Sequence, residues 1–235
     1  MKKVIICTVA LVLAASLAHA AERPPQPAKV LAEMATAYDA VDSYTATLIK
    51  QERLDSEMAP EETIELVFQK PFKVYMKWIG ERFKGQEIVY VAGQYKGRLR
   101  GRRGGLLSFL PFSLQPDDPR ALQGNHHPVT DVGIGRMIEI VGENCKRGLE
   151  RNEVTMQTVL EYWEKMPCIQ LQLEFREARP AYSCARAVVT VDRANKLPVG
   201  IEIYDQPDRL YERCEYRNLQ LNVPVSSDRF RLDDQ

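Results

Sequence analysis

The sequence predicts a mainly β protein of the α+β class, built on one large curled antiparallel sheet. Stretches in which apolar and polar side chains alternate with a period of two occupy most of the chain, whereas only two segments have helical periodicity. Strands and helices do not alternate as they do around a parallel sheet. About ten antiparallel strands with two helices indicate an unclosed β-barrel, with the helices and a loop lid over its concave side.

The N-terminal segment has the pattern of a secretory signal peptide. Two lysines precede an apolar stretch over residues 4–17, and residues 18–20 have the small-x-small sequence Ala-His-Ala. We expect cleavage after Ala20 and export to the periplasm, with residues 21–235 forming a single half-barrel domain. The segment that remains has two more acidic than basic residues, so its charge gives no indication of nucleic-acid binding.

Two segments are predicted to be amphipathic helices. Residues 28–41 place apolar side chains at helical spacing. A second helix is predicted from Asp131 to about Lys146, with Asp131 or Thr130 as its N-cap and Gly148 at its end.

The predicted strands have one polar face and one buried face. Alternation is strict within residues 44–50, 62–70 and 71–78, and further strands are predicted between residues 153 and 219. Side chains of the buried face would form an apolar concave surface that can hold a ligand. The ligand-contacting residues predicted on it are Ala46, Leu48, Leu66, Phe68, Val74, Met76 and Trp78.

Residues 95–114, YKGRLRGRRGGLLSFLPFSL, combine a basic stretch with an apolar stretch. The cations are Lys96, Arg98, Arg100, Arg102 and Arg103. They form either a charged edge strand that resists aggregation or a contact site for an anionic headgroup or a membrane surface. The apolar part is expected to cover the open side of the sheet, the alternative being a loop folded into the core. Its predicted ligand contacts are Leu106, Leu107, Phe109, Leu110 and Phe112.

Four cysteines follow the predicted signal peptide, and an even number in an oxidising compartment suggests two disulfides. The segments around Cys168 and Cys184 have the pattern of a hairpin, which favours a bond between these two. Cys145 and Cys214 would then form the second bond by elimination. Free buried thiols are the alternative.

Motifs that would indicate an enzyme do not occur: the sequence lacks GxSxG, HExxH, a P-loop and GxGxxG before a helix. His126 and His127 are adjacent, and neighbouring side chains in an extended segment point in opposite directions, which is poor geometry for chelation. The Asp pairs at 117–118 and 233–234 are typical of a solvated turn and tail. No catalytic residue, metal site or cofactor is therefore predicted.

Four segments resemble the LolA/LolB/LppX superfamily of envelope lipoprotein carriers, and most closely an uncharacterised family beside it. YTATLIKQER (44–53) is similar to the first strand of those proteins, and LVFQKPFKVYMKW (66–78) to the second and third strands. AVVTVDRANKLPVGIEIYD (187–205) resembles a late hairpin, and SSDRFRL (226–232) the closing signature.

The resemblance implies an unclosed barrel whose apolar inner face shelters acyl chains. It also implies that Lys70, the basic residue before Pro71, holds the lid shut; an exposed lysine at a turn is the alternative. The predicted function is a non-enzymatic periplasmic carrier of a lipid or lipoprotein acyl chain that makes transient contact with a membrane surface or envelope protein. The alternative function is an envelope scaffold or assembly factor that binds a protein partner through the curved sheet.

Overall fold

The computed structural model describes residues 22–107, 110–176, 182 and 184–232. The predicted signal peptide and Phe109 lie outside the described residues. The helices are α1 (Pro27–Asp39) and α2 (Ile134–Glu150). The strands are β1 (Ser43–Leu54), β2 (Glu57–Met58), β3 (Glu62–Gln69), β4 (Lys73–Trp78), β5 (Glu87–Val91), β6 (Leu99–Arg102), β7 (Pro111–Leu114), β8 (Val154–Trp163), β9 (Met166–Phe175), β10 (Arg186–Asp192), β11 (Pro198–Gln206) and β12 (Arg209–Leu221).

The strands form a single antiparallel sheet of twelve strands, which confirms the predicted fold class. The order across the sheet is β7-β6-β5-β4-β3-β1-β12-β11-β10-β9-β8, and β2 pairs with the end of β1. β7 and β8 are the two edges of this path, so the sheet curls without closing into a barrel. Within the described part of the chain, neither helix is long and apolar enough to span a membrane.

Both helices pack on the concave face of the sheet. Val30 and Met34 of α1 and Ile134 and Val141 of α2 belong to the same buried cluster as the inward side chains of the strands. The hydroxyl of Tyr44 on β1 accepts a hydrogen bond from the backbone N–H of Ile134 at 3.0 Å. This bond satisfies one of the free amides at the start of α2 and attaches the helix to the centre of the sheet.

The boundaries of α2 differ from the prediction at both ends, because Gly133 is the N-cap and Gly148 lies within the helix. The residues predicted to cap it, Thr130 and Asp131, lie in a short 3-10 turn, and the N-cap is Gly133 at a φ of 117°. Gly148 lies inside the helix, where a Cβ atom would come within 2.7 Å of Val154 Cβ. The small residue that was predicted to end the helix instead permits its close packing on β8.

Two glycines of α2 give a matched test of how the helices pack. A Cβ atom at Gly135 would lie 2.3 Å from the ring of Tyr38 on α1, whereas one at Gly142 would meet nothing within 4 Å. We expect Gly135→Ala to destabilise the fold by about 1–3 kcal/mol through overpacking. Gly142→Ala should stabilise it by up to about 1 kcal/mol through helix propensity. Urea denaturation of both variants checks this, and a stabilising Gly135→Ala would contradict the observed helix contact.

The C-terminal segment packs on the convex face. Phe230 and Leu232 are buried against Val67, Tyr75 and Val89 on the outward faces of β3, β4 and β5. This cluster explains why the outward positions of these strands contain apolar residues. The apolar residues in the closing SSDRFRL sequence therefore cover part of the convex face of the sheet.

Neither of the predicted disulfides is formed: within the described residues, no bond joins any two of the four cysteines. Cys168 pairs across the sheet with Asp192 at one end of β10, whereas Cys184 precedes the other end of that strand, so the strand register separates them. Burial raises the pKa of Cys145 to about 12, which keeps this thiol protonated at neutral pH.

Candidate ligand cavity

A cavity of about 1060 Å³ lies between the concave face of the sheet and α2. Its walls come from β1, β4, β5, β6, β7, β11 and β12, from the loops over residues 79–86 and 115–133, and from α2. This volume is at the upper end of the range of roughly 300–1,000 Å³ for small-molecule sites. Its apolar lining includes Leu48, Met76, Ile88, Leu99, Met137 and Ile203.

The predicted pocket residues divide into two groups. Leu48, Met76, Trp78 and Phe112 line the cavity. The other four sheet residues of the predicted set have the same inward orientation but are buried in the packed core instead. This second group is Ala46, Leu66, Phe68 and Val74.

The sheet residues that do not line the cavity are covered by the protein itself. The ring of Phe68 stacks on Tyr44 with 5.0 Å between centroids and lies beside Gly133 at the start of α2. The helices therefore fill the part of the concave face nearest to them. The inward-facing side chains at these four positions contact the protein itself. Of the predicted sheet residues, Leu48, Met76 and Trp78 line the cavity.

The apolar segment predicted as a lid forms an edge strand and a partly exposed turn. Leu106 is 95% exposed and Leu110 is 45% exposed, and neither lines the cavity. The side chain of Leu107 is not among the described groups. Phe112 reaches the cavity because Gly101 on the neighbouring strand leaves room for its ring; a Cβ atom there would overlap the ring at 2.2 Å. The cavity is covered instead by α2 and residues 120–133.

The basic stretch does not form a single charged strand. Lys96 lies in a 3-10 turn, and Arg98 donates a hydrogen bond to the Ser113 hydroxyl at 3.0 Å. Arg100 and Arg102 share the face of β6 opposite to its buried residues, on the convex side of the sheet. Of the five predicted cations, Arg103 lines the cavity.

Other cations line the same cavity as Arg103. They are Arg82 and Lys84 from the loop over residues 79–86 and Arg120 from the loop over residues 115–133. These residues are separated in sequence, so no local pattern identified them as lining one cavity.

Lys70 attaches α1 to the sheet. Its ammonium group donates hydrogen bonds to the backbone carbonyls of Tyr38 at 2.8 Å and Asp39 at 3.2 Å. The same group lies 4.4 Å from the centroid of the Tyr38 ring. A cation at the C-terminal end of a helix also interacts favourably with the helix dipole. Lys70 thus holds the C-terminal end of α1 against the sheet, and the role in holding a lid shut that the resemblance implied stays a prediction.

Loss of this contact should loosen α1. We expect Lys70→Met to reduce the free energy of unfolding by about 1–2 kcal/mol, because two charge-assisted hydrogen bonds are lost at a partly exposed site. Lys29→Met is the control, since that lysine is exposed on α1 and, within the described residues, its ion pair is with Glu33 in the next turn. Equal urea midpoints for the two variants would contradict the attachment role.

One end of the cavity is polar. Lys50, Glu52, His127 and Glu212 line it together, and the Lys50 ammonium lies 2.9 Å from Glu52 Oε1. His127 Nε2 lies 3.1 Å from Glu212 Oε2. The neighbouring Glu212 carboxylate raises the pKa of His127. Burial opposes a charge on Lys50, but Glu52 and Glu62 outweigh it and raise the pKa of its ammonium group.

The two histidines do not point apart as the sequence suggested. They lie in a loop, so the alternation of an extended strand does not apply, and both rings approach the glutamates. The His126 ring also stacks on Tyr211 with 4.2 Å between centroids, and its backbone N–H donates to Glu52 Oε2 at 2.8 Å.

A buried ion pair holds the loop over residues 79–86, which carries Arg82 and Lys84, against the sheet. Glu62 on β3 accepts a hydrogen bond from Trp78 Nε1 at 2.6 Å, and its other oxygen lies 3.0 Å from Arg82 Nη1. Glu62 is 3% exposed. One carboxylate therefore orients a cavity-lining indole and holds Arg82 at the cavity wall.

The unclosed antiparallel barrel, with helices on its concave face and an apolar cavity beneath them, defines a LolA-like fold. The sequence profile of the family described as protein of unknown function DUF1571 matches residues 41–235. The chain belongs to this family. No curated protein matches its sequence.

Solved structures with the same fold confirm the resemblance at the level of architecture. Mycobacterium tuberculosis lipoprotein LppX aligns over 87% of this chain and 100% of its own, with a TM-score of 0.50 and 13% identity. MucB aligns over 88% of this chain with a TM-score of 0.54 and 14% identity. The Pseudomonas aeruginosa MucA/MucB complex aligns with a TM-score of 0.50 and 13% identity over 88% of this chain. The matched region is 62% of the MucB chain and 61% of the chain in the complex.

Proposed function

We propose that this protein is a non-enzymatic carrier that binds one lipid or lipoprotein acyl chain inside the half-barrel. The observation that supports the proposal most directly is the cavity of about 1060 Å³ with apolar walls under α2. An interior of this size that is not filled by the protein's own side chains suits an apolar guest. The structural likeness to the lipoprotein LppX agrees with this function.

The free energy expected from burying an acyl chain is large enough for a carrier. Burying about ten methylenes at ~0.8 kcal/mol each gives ~8 kcal/mol, which corresponds to roughly micromolar affinity before ordering costs. The cations Arg82, Lys84, Arg103 and Arg120 line the cavity, and an anionic headgroup would compete there with the acidic partners of Arg82, Lys84 and Arg120. Under this proposal the N-terminal segment directs export, residues 21–235 act as one domain in the periplasm, and the cations make transient contact with a membrane surface.

Lipid transfer from vesicles tests the proposal. Mature protein is incubated with vesicles of phosphatidylethanolamine and phosphatidylglycerol, separated from them and analysed by mass spectrometry after organic extraction. We expect about one lipid per chain. Protein recovered with no more lipid than an unrelated protein of similar size would contradict the carrier function.

A second candidate function is binding of a protein partner through the same curved sheet. The observation that favours it is the structure of MucB in complex with MucA(peri), which aligns over 88% of this chain with a TM-score of 0.50. Co-purification of a stoichiometric envelope protein, with a cavity that takes up no lipid, would favour this function over the carrier.

A further inference from the structure

We propose that Glu52, His126 and Glu212 bind a divalent transition-metal ion, such as Zn²⁺, at the polar end of the cavity. This site is independent of the proposed lipid binding, which concerns the apolar walls. Carboxylate oxygens and imidazole nitrogens are ordinary zinc ligands.

The strand register brings the two carboxylates together. Glu52 on β1 is directly opposite Glu212 on β12, and both side chains face the cavity. Like charges directly opposite each other on a sheet destabilise it, and these two are only 2% and 6% exposed. Two buried acids placed in this way attract positive charge; Lys50 and His127 supply part of it through contacts at 2.9 and 3.1 Å, and a metal ion would supply more.

One ligand atom from each of Glu52, His126 and Glu212 lies within 4.8 Å of the other two. Ligand atoms around a tetrahedral zinc ion are roughly 3.3 Å apart, as zinc–ligand distances of about 2.0–2.1 Å require. Small side-chain rotations would therefore close the site. His127 Nε2, 3.1 Å from Glu212 Oε2, is close enough to supply a fourth ligand.

One imidazole nitrogen of the cluster has unused bonding capacity. His126 Nδ1 is buried and has no hydrogen-bond partner among the described residues. The two carboxylates have charged neighbours, since Lys50 Nζ lies 2.9 Å from Glu52 Oε1 and His127 Nε2 lies 3.1 Å from Glu212 Oε2. Buried polar atoms are normally hydrogen-bonded, so a buried imidazole nitrogen beside two carboxylates indicates a ligand that completes its bonding.

The cations near the site have further partners. Lys50 also donates to the Asn125 side chain, and Arg82 is paired with Glu62. Glu52 Oε2 accepts a hydrogen bond from the backbone N–H of His126 at 2.8 Å and lies 3.7 Å from His126 Nδ1, so this oxygen would face the metal while Lys50 remains on Glu52 Oε1.

Isothermal titration of untagged, metal-free mature protein with Zn²⁺ tests this site. We expect one ion per chain and an upward shift of the melting temperature with Zn²⁺. His126→Gln and Glu212→Gln should each weaken binding at least about 100-fold, since each removes a direct ligand. Glu215→Gln is the matched control, because that carboxylate lies on the same strand and pairs with Arg217.

Circular dichroism of each variant without metal establishes that it is folded. If Glu212→Gln does not fold, His126→Gln alone decides the question, because its ring lies in a loop. Absence of stoichiometric zinc binding, or binding that both ligand variants retain at full strength, would overturn the proposal.

Discussion

Met76→Glu is expected to abolish lipid uptake. Met76 lies on β4 in the cavity wall, next to Ile88 on β5 in the strand register. An acyl chain in the cavity would bury the new carboxylate without a partner, at a cost of at least several kcal/mol. This cost offsets a large part of the ~8 kcal/mol of binding free energy available to the ligand, so we expect uptake from vesicles to fall more than about 100-fold.

Two further variants make this test decisive. Ile88→Glu places a charge in the same wall at a position that is only partly buried, so it remains informative if Met76→Glu does not fold. Ile79→Glu is the control, because Ile79 is 46% exposed and lies outside the cavity. Undiminished uptake by folded Met76→Glu and Ile88→Glu would show that the ligand does not occupy this cavity.

Glu62→Ala is expected to cause the largest loss of stability. The substitution leaves Arg82 without its buried partner and the indole N–H of Trp78 without its acceptor. Breaking a buried ion pair from one side typically costs 3–5 kcal/mol, and partial exposure of the Arg82 side chain favours about 3 kcal/mol here. Since the loop over residues 79–86 depends on this pair, Arg82 and Lys84 should also lose their fixed positions in the cavity wall.

The neighbouring residue supplies the control for this experiment. Glu61 also pairs with an arginine, Arg213, but both side chains are substantially exposed. Glu61→Ala should therefore cost less than about 1 kcal/mol. Urea denaturation compares the two variants, and equal midpoints would contradict the structural importance of Glu62.

Local patterns were sufficient to predict the fold but only part of the cavity. The alternation of inward and outward residues depends on nearest neighbours along the chain, so it correctly placed Leu48, Met76 and Trp78 on the concave face. It could not indicate that Phe68 is covered, because the covering residues belong to a helix that begins at Ile134.

The polar end of the cavity could not be predicted for a related reason. Glu52 and Glu212 are neighbours only through the pairing of β1 with β12. The basic stretch was misleading because the strand there is limited to four residues, with a turn before it, so its cations do not share one face. The signal that could have identified the polar end is an acid at an inward position of both strands.

The most direct test of the carrier proposal is native mass spectrometry of the mature protein purified from a periplasm, followed by organic extraction and lipid analysis. A carrier should retain a bound species of defined mass that is released as a lipid or acyl compound on extraction. A mass equal to that of the polypeptide alone, together with no lipid acquired from added vesicles, would contradict the carrier function and favour a protein-binding role for the curved sheet.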